Sequence, residues 1–304
     1  MKVLKWAAIS LLVLVVLLAG YTTYIVNSVD PDVLPEHHGK VQVAFYPGPE
    51  TGAPKPLLVL FGGAEGGNAW TGDRWAAERQ HFLDEGYALL ALAYFGQPGL
   101  PAELDRIALE GVHAAIVDAA AKPGVEGRCV ALLGGSKGAE LALVLASRYP
   151  DIDAVAAVVP GHAVFVGHTR AFTTSSFSHH GEPLPFVPMP WSATGALLAG
   201  ELRTVFDHML ADTDAVARAA IPVEQINGPV FLLSATDDEL WDSQAMSEAM
   251  VARLAERGFP HRYTHVAIEG GHVEPTRHLH HVRAFLAEHL KPRVADGCSP
   301  LPPT

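Results

Sequence analysis

Of 304 residues, 49% are hydrophobic and only 18% charged, which excludes a disordered chain and supplies apolar mass for a sizeable core. The net charge of −12 argues against any nucleic-acid partner. About 270 residues follow the first thirty, a length that suits one large α/β domain better than two small ones.

Lys2 and Lys5 precede an uncharged stretch from Trp6 to Val26. As a helix, residues 6–26 span about 31 Å at about 1.5 Å per residue, enough for a hydrocarbon core and hence for a membrane partner. Residues 1–29 read as a signal anchor, the alternative being a cleaved signal peptide. Leu18-Ala19-Gly20-Tyr21 is a poor cleavage site and favours the anchor. The lysines are expected to stay inside, and Asp30, Asp32 and Glu36 follow the stretch with no Lys or Arg before Lys40. That asymmetry predicts a membrane-anchored chain with its folded domain outside the cytoplasm, or a secreted one after cleavage.

Residues 30–40 form a linker rich in Pro, Asp and His, and residues 41–292 form the folded domain. Strands are expected at 41–46 and 57–61, then a helix at 73–85 capped by Asp73. A strand at 87–94, a helix at about 105–121, a strand at 129–133, a helix at 137–148 and a strand at 154–159 follow. Runs such as Ala88-Leu89-Leu90-Ala91-Leu92 suit strands buried on both faces of a parallel sheet. Residues 160–220 break the rhythm with many Gly, Pro, Ser, Thr and His, and read as a cap. The alternation resumes with a strand at 230–234, a helix at 243–257, a strand at 262–268 and a helix near 276–290. Residues 293–304 are expected to be a flexible tail. The pattern predicts a mostly parallel central sheet with helices on both faces. Cys129 lies in a buried-strand pattern and Cys298 in a Pro-rich tail, so no disulfide between them is expected, and there is no C-x-x-C pair.

Gly134-Gly135-Ser136-Lys137-Gly138 matches G-x-S-x-G between an apolar strand and an Ala/Leu-rich helix. This is the context that the nucleophile elbow of an α/β-hydrolase fold needs, in which the serine would occupy a strained turn and the glycines would let strand and helix approach closely. Ser136 is therefore the expected nucleophile. A serine hydroxyl needs a base, and the base an orienting acid, in the chain order Ser, acid, His. The strand ending at Ser234 leads into Asp237-Asp238, and the next strand leads into Glu269-Gly270-Gly271-His272. Both are loops at strand C-termini, where such groups belong. His272 is the expected general base. Of Asp237 and Asp238, only one is expected to reach it.

An oxyanion hole needs two backbone N–H groups. Lys137, after the nucleophile, supplies one. The loop Phe61-Gly62-Gly63-Ala64-Glu65-Gly66-Gly67 supplies the other, from Gly63 first and Ala64 second. No phosphate-loop pattern is present there. His179-His180 and His278-Leu279-His280-His281 invite a metal reading, but His280 and His281 cannot share one helix face, and both clusters are expected to be solvated. Neither metal nor cofactor is expected.

Four stretches resemble the C-terminal catalytic domain of the acyl-CoA thioesterases and bile acid-CoA:amino acid N-acyltransferases. They are Leu90 to Phe95 with Leu100-Pro101; Leu133 to Glu140; Gly181 to Pro185; and Ile221 to Glu224 leading to Ala235 through Asp238 and Trp241. The resemblance implies a Ser–Asp–His triad, which falls on Ser136, Asp238 and His272. It also implies hydrolysis of a small-molecule carboxylic thioester or ester through an acyl-serine. The alternatives are acyl transfer to an amino-acid amine and a general membrane-anchored carboxylesterase. Phe165, Val166, Phe172, Phe177, Phe186, Val187 and Trp191 suggest a fatty-acyl site under the cap, or else the cap's own small core.

Overall fold

The computed structural model describes residues 2–50, 52–296 and 298. In chain order the elements are α1 (Lys2–Val26), β1 (Gln42–Tyr46), β2 (Lys55–Phe61), α2 (Ala76–Asp84), β3 (Ala88–Ala93), β4 (Ile107–Ala108), α3 (Leu109–Ala120), β5 (Val125–Gly135), α4 (Lys137–Ala146) and β6 (Ala154–Val158). Then follow β7 (Phe177–His179), β8 (Glu182–Pro183), α5 (Thr194–Ala199), α6 (Leu202–Leu210), α7 (Thr213–Ala219), β9 (Val230–Ala235), α8 (Ser243–Glu256), β10 (Tyr263–Ile268), α9 (His280–His289) and α10 (Lys291–Asp296).

Seven strands form the central sheet in the order β1-β3-β2-β5-β6-β9-β10. Only β1, at one edge, runs antiparallel, pairing Gln42 with Ala93 through Tyr46 with Leu89. The order runs outward from β2 in one direction and from β5 in the other, so the chain reverses its winding between them. Ligands of open α/β sheets lie beyond the strand C-termini at such a point. Both of these strands end at motifs expected to carry chemistry.

The sheet is buried on both sides. Leu57, Val59 and Phe61 of β2 join one apolar cluster with Leu90, Leu92, Val130 and Leu132. Leu58 and Leu60 join the opposite cluster with Leu89, Ala91, Ala131 and Leu133. This is the period-two alternation of a strand, with both faces apolar because helices cover both. Residues 160–220 hold β7, β8 and α5–α7, and build a third cluster around Phe165, Val187, Phe206 and Trp241.

Three expectations are corrected. Asp73 does not cap a helix: residues 73–75 form a 3₁₀ turn, and α2 starts at Ala76 without a side-chain cap bond. Cys129 and Cys298 are bonded to each other, with Cα atoms 5.1 Å apart across 169 positions. Sequence position hid this, because the sheet brings β5 beside the end of α10. The expected flexible tail is accordingly structured in part. It continues in α10 to Asp296 and is pinned at Cys298, while residues 297 and 299–304 lie outside the described residues.

Within α1, Ile9–Val26 has a mean hydropathy of 2.3 and no residue buried by the domain, so this helix is long and apolar enough to cross a membrane. The linker behind it is docked. The buried Arg106, fixed at 2.8 Å by Asp105, donates to the Pro31 carbonyl at 2.7 Å, and His38 Nε2 lies 2.9 Å from Ser178 Oγ.

Candidate active site

At the C-terminal end of β5 the chain turns abruptly into α4. Ser136 sits in that turn with φ 55° and ψ −121°, a conformation disfavoured for a residue with a Cβ. Surrounding structure holds it there: the Ser136 amide donates to the Val158 carbonyl at 2.9 Å. The glycines on either side have distinct duties. A Cβ on Gly134 would collide with the Gly138 carbonyl, and one on Gly138 with the Gly62 carbonyl, whereas Gly135 has open space. Two of the three motif glycines are thus required by close backbone approach.

Gly63 lies directly against the serine. A Cβ built on it would stand 3.2 Å from Ser136 Cβ and 3.2 Å from the Gly135 carbonyl. Tyr94 holds this loop from below by donating to the Gly62 carbonyl at 2.9 Å, and burial pushes its hydroxyl well above the ordinary range. Ala64 is exposed and is absent from the cavity wall. Lys137 opens α4, where a first-turn N–H has no intrahelical acceptor.

Asp238 and His272 come from the loops after β9 and β10. His272 Nδ1 lies 2.8 Å and 2.9 Å from the two Asp238 oxygens, which assigns the ring proton to Nδ1 and leaves Nε2 with a lone pair. Asp238 is 2% exposed, whereas the neighbouring Asp237 is exposed and accepts from Thr236 Oγ1. Burial alone would push the Asp238 carboxyl up. The His272 ring, the Ser243 hydroxyl and the Leu240 amide together hold it below the usual carboxylate range. The face of His272 is fixed by Trp241, edge-on with ring centres 5.1 Å apart, and its amide donates to Glu239 at 2.8 Å.

Ser136, His272 and Gly63 line one cavity of about 390 Å³. Its apolar wall comes from Phe61, Trp70, Trp75, Val158, Val159 and Leu279, with Glu65 and Arg74 as its charged members. None of the seven apolar side chains singled out between 165 and 191 lines it. Phe165, Val166 and Val187 are instead the core of their own segment, and Phe177 belongs to the main core. The tryptophans escaped sequence reading because they lie in short 3₁₀ turns without periodicity; the stacked pair stands 4.4 Å apart. An imidazole held by a buried carboxylate, sharing one cavity with a hydroxyl on a strained turn and with the Gly62-Gly63 loop, is a geometry suited to acyl transfer.

A family model described as "BAAT / Acyl-CoA thioester hydrolase C terminal" matches residues 109–292. "Acyl-coenzyme A thioesterase 2, mitochondrial" of Mus musculus is 28% identical over 231 residues, covering 74% of this chain and 46% of that protein. "Acyl-coenzyme A thioesterase 1" of Homo sapiens is 30% identical over 227 residues, covering 74% and 50%. The chain thus spans about half the length of the curated relatives it matches. Among solved structures, the alpha/beta hydrolase GrgF from a Penicillium species superposes with a TM-score of 0.52 at 14% identity, covering 83% of this chain and 99% of that one. A puromycin-hydrolyzing peptidase of Mycobacterium tuberculosis gives 0.55 at 18% identity, covering 85% and 39%. These likenesses carry the fold, which is that of the α/β hydrolases. The family match takes in more than half of the residues, from α3 through α9 and with Ser136, Asp238 and His272 inside it, and the chain belongs to the BAAT / acyl-CoA thioester hydrolase C-terminal family.

Proposed function

We propose that the protein is a serine hydrolase that cleaves a small-molecule carboxylic thioester or ester, of the acyl-CoA thioesterase kind, through an acyl-Ser136 intermediate. The observation that carries this reading is the buried Asp238–His272 hydrogen bond opening onto the same cavity as the strained Ser136. His272 Nε2 takes the Ser136 Oγ proton as Oγ attacks the acyl carbon. The Gly63 and Lys137 amides receive the oxyanion. The C–S or C–O bond then breaks, and His272 returns the proton to the leaving thiolate or alkoxide. Water, deprotonated by the same nitrogen, attacks the acyl carbon; the bond to Ser136 Oγ breaks, His272 returns the proton to Oγ, and the free acid leaves. Asp238 stays ionised and holds the ring. The acyl chain lies along Trp70, Trp75, Val158 and Leu279, a wall to which no residue of 160–220 contributes.

The test is a panel of acyl-CoA and p-nitrophenyl esters, run beside labelling by a fluorophosphonate probe. Hydrolysis and labelling that both vanish in Ser136→Ala support the reading. A native chain that neither labels nor hydrolyses refutes it. Mostly N-acylglycine from an acyl thioester with glycine present replaces hydrolysis by acyl transfer.

We further propose that α1 anchors the chain and that the domain lies outside the cytoplasm. Three features support this: Lys2 and Lys5 before the span, Asp30 and Asp32 after it, and the Cys129–Cys298 disulfide, a bond that persists in oxidising compartments. A reporter active only outside the cytoplasm, fused after residue 304, should be active. Activity from a cytoplasmic reporter alone refutes the orientation.

A further inference from the structure

His278, His280 and His281 do not spread out along a helix. His278 lies in the turn that closes residues 274–277, and α9 begins only at His280. The turn folds His278 back over the first residues of the helix, and one ring nitrogen from each of the three lies within 4.8 Å of the others. The ring centres of His280 and His281 are 4.2 Å apart, and those of His278 and His281 6.4 Å. The objection that adjacent histidines cannot share a helix face does not apply at a helix's first turn, where the preceding chain supplies the third ring.

We propose that His278, His280 and His281 form a binding site for a borderline divalent transition ion, zinc foremost. Imidazole is the side chain such ions prefer, and a set of three nitrogens leaves one position for water or a carboxylate. A tetrahedral zinc ion at about 2.0–2.1 Å from each nitrogen needs donors roughly 3.4 Å apart. The three rings close to that spacing by side-chain rotation, since His280 is exposed and the other two half-buried.

A carboxylate stands beside the cluster. Glu274 Oε1 is 3.5 Å from His278 Nε2, and Arg277 holds Oε2 at 2.6 Å. Metal-bound histidines characteristically have such a neighbour, which orients the ring. The positive end of α9 opposes a cation, and the three imidazole donors must outweigh it. The chain's net charge of −12 favours approach of a cation. The site also abuts the acyl-transfer centre: Val273, Thr276 and Leu279, interleaved with these residues, line the same cavity as Ser136.

The test uses the full-length chain, purified without a histidine tag in detergent and titrated with cobalt(II) chloride. One equivalent should raise the visible d–d absorption of a low-symmetry cobalt–imidazole site, and zinc chloride should abolish it. His280→Ala and His281→Ala should each weaken binding by on the order of tenfold or more. The His179→Ala/His180→Ala double variant, altered at a pair outside the cluster, should bind as the native chain does. Two results would overturn the site: no cobalt spectrum at micromolar metal in the native chain, or an unchanged spectrum in the His278→Ala/His280→Ala/His281→Ala variant. The native arm requires no substitution, so a variant that misfolds leaves the outcome decidable.

Discussion

Lys137 Nζ lies 3.0 Å from Glu140 Oε2, and neither side chain reaches solvent. The pair sits in the first turn of α4, directly behind Ser136. Lys137 Nζ also donates to Ser176 Oγ at 2.9 Å, and Glu140 Oε1 accepts from the Phe165 amide at 3.0 Å. Burial pushes the lysine down and the glutamate up, while each opposes the shift in the other. The network therefore ties the turn that carries Ser136 to the segment between β6 and α5. Breaking one partner strands a charge in the interior. Lys137→Met or Glu140→Leu alone should cost about 3–5 kcal/mol of stability, whereas Lys137→Met/Glu140→Leu should recover most of it. Denaturant unfolding of the three variants decides the matter. Additive losses would mean that the two charges are not a coupled unit.

The glycines of the elbow separate cleanly. Gly138→Ala places a methyl on the Gly62 carbonyl and should displace the Gly63 loop, lowering turnover by about a hundredfold or more, the size of effect seen when an oxyanion donor is lost. Gly135→Ala meets open space and should leave turnover within a few-fold of native. Steady-state kinetics on both variants, with circular dichroism to verify folding, tests this. Equal losses would mean that the motif needs flexibility rather than close approach.

Acid should destabilise the protein before its carboxylates titrate. Burial, and then the Lys137 charge, push His168 down from 6.5 to about 3, and burial also lowers His162. A depressed folded-state value means that the unfolded chain takes up the proton first. The contribution is complete above pH 6.5 and lost as pH falls below it. The thermal midpoint should decline between pH 6.5 and about 5, where carboxylates are still ionised, and His168→Gln should flatten that decline. A midpoint in the native chain that is level over this window would contradict the assignment.

Sequence alone singled out Ser136, from a G-x-S-x-G between an apolar strand and a helix, and His272, from its place after a strand, as candidates, and the structure places both on the wall of one cavity. The sheet was legible because β2, β3 and β5 are apolar on both faces. What escaped depends on contacts distant in sequence or on non-periodic chain. The Cys129–Cys298 bond joins residues 169 positions apart. Trp70 and Trp75 reach the cavity from 3₁₀ turns. Lys137 and Glu140, an i,i+3 pair that on most helices would face water, are buried because residues 163–177 cover them. The aromatic residues after 160 drew attention to the wrong cavity wall, since hydrophobicity does not say which core a side chain joins.

The adjacent aspartates give the most direct test of the site. Asp238 is buried, bonds His272 Nδ1 through both oxygens, and accepts the Leu240 amide at 3.1 Å. Asp237, one residue earlier, faces solvent and accepts from Thr236 Oγ1. Asp238→Asn keeps the shape but offers His272 an amide that can donate, so the ring can adopt the tautomer with its proton on Nε2, the wrong atom for a base. Turnover should fall by on the order of 10³ or more, with the fold intact. Asp237→Asn removes an exposed charge and should change turnover less than about threefold, in keeping with the small effects of surface substitutions. The comparison requires only initial rates on one activated ester and thermal melts of both variants. A larger loss in Asp237→Asn than in Asp238→Asn would place the orienting acid on the wrong residue and with it the proposed geometry of His272.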